Sequence, residues 1–287
     1  MLIKKLIASA PSQLLALTVA IAGASGSAHA GYAVSTNTIS NFDVDFVNLN
    51  GSFSGFTFTT DVAAHGLSDE ANYGATDAAG ACVGAACSSY NNSFMSHGAS
   101  GDYAYGDAQI GNADVVGGLG AASSIGEVSA VTAEGYAAGA NTMNASFSLL
   151  AGGSVSFSFN ATPYLSIAAG SGPSATAFST MNITIRKNGS EVFSWTPNGA
   201  VGTGINNGTE SFDAFNLNTG VDQGLTYNPG TGLFQATTNV LGAGNYSITI
   251  NMTNQASAVP EADTYAMMLA GLGLVGYTVS RRKRTLN

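Results

Sequence analysis

Between Asn41 and Thr60 apolar and polar residues alternate: Phe42, Val44 and Phe46, then Phe53, Phe56 and Phe58, set among Asp, Asn, Ser and Thr. A period of two puts successive side chains on opposite faces of an extended chain. With Gly51 and Gly55 as punctuation it predicts two strands, forming an amino-terminal hairpin or sheet edge. The alternation returns at Asn144, through Phe147 and Leu149, through Val155, Phe157 and Phe159, and through Tyr164, Leu165 and Ile167 after Pro163. Two further runs, Met181–Lys187 and Ser190–Trp195, flank Asn188-Gly189. That dipeptide accepts the positive φ angles of a type I′ turn, so it predicts a two-residue hairpin. The sequence Asn228-Pro229-Gly230-Thr231-Gly232 reads as a turn before Leu233-Phe234. The last strand spans 245–252 with Tyr246, Ile248, Ile250 and Met252 on one face, and Gln255–Ala258 follow as a short linker.

Residues 61–140 carry a weaker signal. Alanine and glycine dominate, and both have poor strand propensity. The expectation is long Gly/Ala-rich loops, with short strands near 114–120 and 128–131. No helical period is sustained anywhere in this part of the chain. Many short strands punctuated by Gly and Asn define an all-β fold, an antiparallel β-sandwich of jelly-roll-like type.

The two ends read differently from the middle. Lys4 and Lys5, an apolar stretch through Leu14–Ala22, and Ala28-His29-Ala30 before Gly31 have the layout of a secretory signal peptide over 1–30, cleaved after Ala30. At the other end, Val259-Pro260-Glu261-Ala262-Asp263-Thr264 precedes fifteen uncharged residues, 265–279, and then Arg281, Arg282, Lys283 and Arg284. As a helix that run is roughly 22 Å long, short of the ~30 Å hydrocarbon core. Flanking residues entering the interface and bilayer thinning close the gap, so a C-terminal transmembrane helix is expected, with its basic end in the cytoplasm. The domains are therefore 1–30, an exported sandwich over 31–258, and a sorting signal over 259–287.

Within 31–258 two cations, Arg186 and Lys187, stand against fifteen carboxylates, a net charge of −13 where the whole chain carries −9. Phosphate contacts need Lys and Arg, so nucleic acid is excluded as a partner. The cysteines Cys82 and Cys87 are two in number in an exported chain, which favours a local disulfide.

Catalytic chemistry is sparse. After signal cleavage only His65 and His97 remain, neither near a GxSxG elbow. Asp43, Asp45, Asp102, Asp107 and Glu134 are the candidates for a carboxylate pair, but glycoside hydrolysis also wants aromatic platforms, and the single tryptophan, Trp195, sits on the predicted hairpin. Asp43 and Asp45, with the Gly-Asp turns at 101–102 and 106–107, lack the oxygen density of a dedicated calcium loop. The GxGxxG match at Gly271–Gly276 lies in the apolar run with no βαβ unit around it. The reading is a non-enzymatic protein without cofactor or metal. An alternative is a carbohydrate-binding sandwich in which Tyr103 and Tyr105, two apart in a Gly/Asp-rich segment, act as stacking platforms, with Tyr73, Tyr90 and Trp195 as further candidates.

The tail resembles the PEP-CTERM sorting signal of Gram-negative bacteria. The resemblance rests on Val259, Pro260 and Glu261, the Leu/Gly-rich run at 269–276, and Arg281 to Arg284, and departs at Ala262, where the family has proline. It implies recognition by exosortase, a membrane protease-transpeptidase. It also implies insertion through 265–279 as an inner-membrane intermediate, then delivery to the cell surface or the exopolysaccharide matrix. It covers about a tenth of the chain and says nothing of the fold in front of it.

Overall fold

The computed structural model describes residues 31–47, 53–70, 75–82, 103–112, 115–130, 135–168, 175–258, 269–275 and 277. The chain divides into two units, Ala30–Pro260 and the remaining end segments. In the first unit the strands are β1 (Gly31–Val47), β2 (Phe53–Glu70), β3 (Ala75–Cys82), β4 (Tyr103–Asn112) and β5 (Gly120–Ala130). They continue with β6 (Gly135–Leu149), β7 (Ser154–Ile167), β8 (Thr176–Lys187), β9 (Ser190–Trp195) and β10 (Ile205–Asn206). The last are β11 (Gly208–Asp213), β12 (Thr219–Val221), β13 (Thr226–Tyr227), β14 (Gly232–Thr238) and β15 (Gly244–Ala258).

These strands form two antiparallel sheets. One runs β11-β14-β7-β1-β5-β4 with β13 beside β7, and the other runs β10-β9-β8-β15-β6-β2-β3 with β12 beside β8. The larger core cluster draws on both sheets, so long strands such as β6, β7 and β8 hide one face and wet the other, which is the physical source of the period of two. The predicted hairpin is present: β8 and β9 are joined by Asn188 at φ 52° and Gly189 at φ 82°.

The first two strands do not form a hairpin. β1 lies between β5 and β7 in one sheet while β2 pairs with β6 and β3 in the other. Alternation reports that a face is buried and is silent about which sheet buries it. Proline in the interior of β7 has a local reason. β14 pairing ends at Gly232↔Ala161 and β13 pairing begins at Tyr227↔Leu165, so Pro163 falls at the break between the two partners.

The core has two ends of different character. At one end Phe42, Phe147, Phe157, Phe159, Phe193, Trp195 and Phe234 pack with Ile and Met from both sheets. At the other, Ala33, Ala137, Ala177, Ala256 and Ala258 pack with Val128, Leu165 and Ile167. Between them lies a buried polar belt of Ser35, Asn37, Ser124, Asn141, Ser179 and Asn254. Ser35 Oγ lies 2.8 Å from the Phe178 carbonyl oxygen and 3.0 Å from Asn254 Oδ1, while Asn254 Nδ2 donates to Ser124 Oγ, stitching one sheet to the other.

The expectation of long loops over 61–140 is corrected by β2 to β6, which place much of this segment in strands. The expected strand at 114–120 is instead a turn over 115–118 leading into β5. Small residues are required here by spacing. A Cβ built on Gly126 would stand 2.6 Å from the Ala137 carbonyl oxygen, so the facing backbones leave no room for a side chain. Composition that argues against strand in isolation is the composition a thin interlayer demands.

The expected linker at 255–258 is likewise strand. β15 continues to Ala258, paired with β6 as far as Ala258↔Gly135 and with β8 as far as Ser257↔Thr176. Gly31, paired with Ala130, starts β1 at this same alanine-lined end.

In the second unit 269–275 and 277 are helical. No helix among the described residues is long and apolar enough to cross a membrane, so the expected spanning helix over 265–279 is not established as part of the fold.

Candidate functional site

The described part of the sandwich gathers two buried carboxylates at one place. β9 ends at Trp195, whose ring is fully buried, and the chain then turns through a loop before β10. Gly199, Gly202 and Gly204 take φ of 81°, 86° and 72° in this loop, a conformation that other residues adopt at a cost. β11 follows, and its register against β14 slips between Glu210 and Phe212. The slip is a β-bulge, which lets Glu210 and Asp213 both turn inward although they are three residues apart.

Both carboxylates are committed to the loop. Glu210 Oε1 accepts from Trp195 Nε1 at 2.5 Å and Oε2 from the Gly202 amide at 2.5 Å. Asp213 Oδ2 accepts from the amides of Asn198 and Gly199 at 3.0 and 2.9 Å. Asn198 Oδ1 in turn accepts from the Ala200 amide and the Thr203 hydroxyl at 3.1 and 2.9 Å. Burial pushes the Glu210 carboxyl above its ordinary value. The Gly202 amide and the Trp195 indole pull it back, the Asp213 charge raises it further, and the Thr203 amide lowers it. The phenol of Tyr227, which donates to the Asn216 carbonyl at 2.8 Å, is also raised by burial. Chemically the arrangement supplies anionic acceptors to a glycine-bearing loop.

The residues singled out by sequence are dispersed. Trp195, considered as a sugar platform, is instead a core residue, 0% exposed and 5.6 Å from the ring of Phe159. Tyr103 and Tyr105 lie on the edge strand β4, across from Ser129 and Glu127 of β5. Cys82 closes β3 across from Ala63, whereas Cys87 lies outside the described residues. Asp45 is on β1 and Asp107 on β4, and His65 is on β2 across from Gly80 and Ala140. Val259, Pro260 and Glu261 and the basic cluster Arg281, Arg282, Lys283 and Arg284 lie outside the described residues, as do His97, Tyr73 and Tyr90.

Glu210 and Asp213 were not among the sequence candidates. One signal was available: a Gly/Asn/Thr loop with no cation near it, followed by two carboxylates, needs those acids as acceptors for its own amides.

In class this is an antiparallel β-sandwich whose enclosed acids Glu210 and Asp213 accept from its own loop. Residues 258–284 match the PEP-CTERM protein-sorting motif, beginning at the last residue of β15. No curated protein and no solved structure matches the chain. Proteins bearing this motif are exosortase substrates, exported to the surface of Gram-negative bacteria.

Proposed function

We propose that this chain is a non-enzymatic protein of the cell surface or extracellular matrix, delivered there by its tail. The observation that carries the reading is the sorting-motif match at 258–284, which begins at the last residue of the sandwich's final strand. Residues 1–30 direct export, and 265–279 hold the protein in the inner membrane, with Arg281 to Arg284 retained in the cytoplasm. Exosortase then acts at Val259, Pro260 and Glu261. The exposed leucines Leu269 and Leu272, on the helical stretch of that run, suit contact with lipid rather than water. Cys82 and Cys87 close a local disulfide once the chain is outside.

Intact mass of the protein recovered from envelope and medium, in cells with and without exosortase, tests this. The expected result is loss of residues 1–30 in both strains and loss of the tail only where exosortase is present. A tail retained in both strains would leave a membrane-anchored periplasmic protein and end the sorting reading.

The extended conformation of β4 favours a second reading, exopolysaccharide binding, because alternate residues of a strand share a face and Tyr103 and Tyr105 are two apart on an edge. Retention on an affinity gel of the cognate polysaccharide should then fall by about thirtyfold when both are replaced with alanine, a loss of two stacking contacts of ~1 kcal/mol each. Equal retention of wild type and variant would remove these residues from any binding role.

A further inference from the structure

The sorting match begins at Ala258, and Ala258 is still inside the sandwich. Its side chain is fully buried, as is that of Ala256, in the alanine-lined end of the core. Ser257 lies across from Tyr136 on one side and Thr176 on the other, and its hydroxyl is 2.8 Å from that of Thr176. β15 is thus held on both edges to its last residues, and the recognition residues Val259, Pro260 and Glu261 follow with no free segment between.

A protease reads its substrate as an extended chain threaded through a cleft, and the residues before the recognition element enter that cleft with it. Here those residues are hydrogen-bonded to β6 and β8 and cannot be in both places. We propose that the carboxyl end of β15, about Asn254–Ala258, is part of what exosortase must engage, and that this end has to peel from β6 and β8 before the tail is processed. This rests on the exosortase reading above. Processing then draws on the small population in which the strand end is open, and the apparent affinity for the tail is reduced by that fraction. A properly paired β15 makes the tail a slow substrate. The strand end lies in the smaller core cluster, where Ala256 and Ala258 pack with other alanines and with Val128, Leu165 and Ile167, so opening it leaves the stacked phenylalanines of the larger cluster in place.

The test uses the full-length chain expressed in cells that carry the exosortase, following tail loss by pulse-chase and intact mass. Thr176→Cys with Ser257→Cys replaces two hydroxyls already in contact by a disulfide that ties β15 to β8. The oxidised pair should be processed at least about tenfold more slowly than wild type, with the rate restored by dithiothreitol. A second variant inserts six Gly/Ser residues between Ala258 and Val259. It should be processed faster than wild type, and in the same chain as the cysteine pair it should abolish the effect of the lock.

Processing of the oxidised pair at the wild-type rate would overturn the proposal, as would a lock effect that the insertion does not relieve. Failure of the sorting reading itself looks different, because the tail would then persist in wild type and in the insertion variant alike.

Discussion

Replacing Phe159 with alanine is expected to lower the unfolding free energy of the sandwich by about 3–5 kcal/mol, the range for removing a large ring from a packed core. Phe159 is fully buried on β7. Its ring stacks on Phe42 at 5.2 Å and on Phe234 at 5.1 Å, with interplanar angles of 10° and 8°, and meets Trp195 at 5.6 Å. Those three partners come from β1 and β14 in its own sheet and from β9 in the facing sheet. Truncation therefore leaves a cavity walled by rings held on separate strands, and rings so held cannot collapse into it without moving the sheets.

Trp195 reports the transition directly, being the single tryptophan and fully buried, so urea melts of the recovered protein can be followed by its emission. Phe212→Ala is the matched control, because that ring is 51% exposed on β11 and its loss should fall within about 0.5 kcal/mol of wild type. A Phe159→Ala midpoint no lower than the Phe212→Ala midpoint would mean that the stacked rings do not form the centre of the core.

The legible parts of this fold are those where local chemistry and global packing agree. Asn188-Gly189 adopts positive φ because its two residues tolerate it, and the flanking alternation supplies two strands that need a reversal. Of the face predicted for the last strand, Tyr246, Ile248 and Met252 are buried and Ile250 is half-buried against the same core. The illegible parts are those where a distant surface sets the rule. Alanine and glycine between 61 and 140 look like loop on propensity, yet the close approach of β5 to β6 excludes anything larger than hydrogen at Gly126. Residues 255–258 look like linker because they are small and polar, yet the alternation Asn254, Ala256, Ala258 continues the buried face of β15 into that thin end.

The carboxylate cluster was hidden for a geometric reason. Residues three apart in a regular strand point to opposite faces, so Glu210 and Asp213 read as one inward and one outward acid. Only the bulge between Glu210 and Phe212 brings them to the same side, and Ser211 and Phe212 are consecutively exposed as its consequence. Sequence alternation cannot announce a bulge whose extra residue is an ordinary serine. The tail, by contrast, was legible because its signal is linear: a short motif, an apolar run and a basic end stand one after another in the chain and need no fold to be recognised in the sequence.

Glu210 gives the second large effect and the one with a pH signature. Glu210→Ala removes the acceptor of the Trp195 indole and of the Gly202 amide. Among the described residues the buried indole donates to Glu210 and to no other side chain, so loss of this acceptor is expected to cost about 1–3 kcal/mol at neutral pH. Glu210→Gln keeps one oxygen for the indole while presenting N–H to the Gly202 amide, and should fall between wild type and alanine.

The pH dependence separates the charge from the contact. Burial raises the Glu210 carboxyl above its ordinary value, outweighing the amide and indole donors. The folded chain therefore holds this proton more readily than the unfolded chain. Its contribution to stability is present below the ordinary carboxyl value and is lost as pH rises through the raised folded value. Urea midpoints measured from pH 4 to pH 8 should show a downward component with rising pH in wild type that is missing from both Glu210→Ala and Glu210→Gln. The alanine variant should lie below the glutamine variant at every pH. A wild-type profile parallel to both variants would show that Glu210 takes up no extra proton on folding, and that the loop is held by a carboxylate whose donors fully compensate its burial.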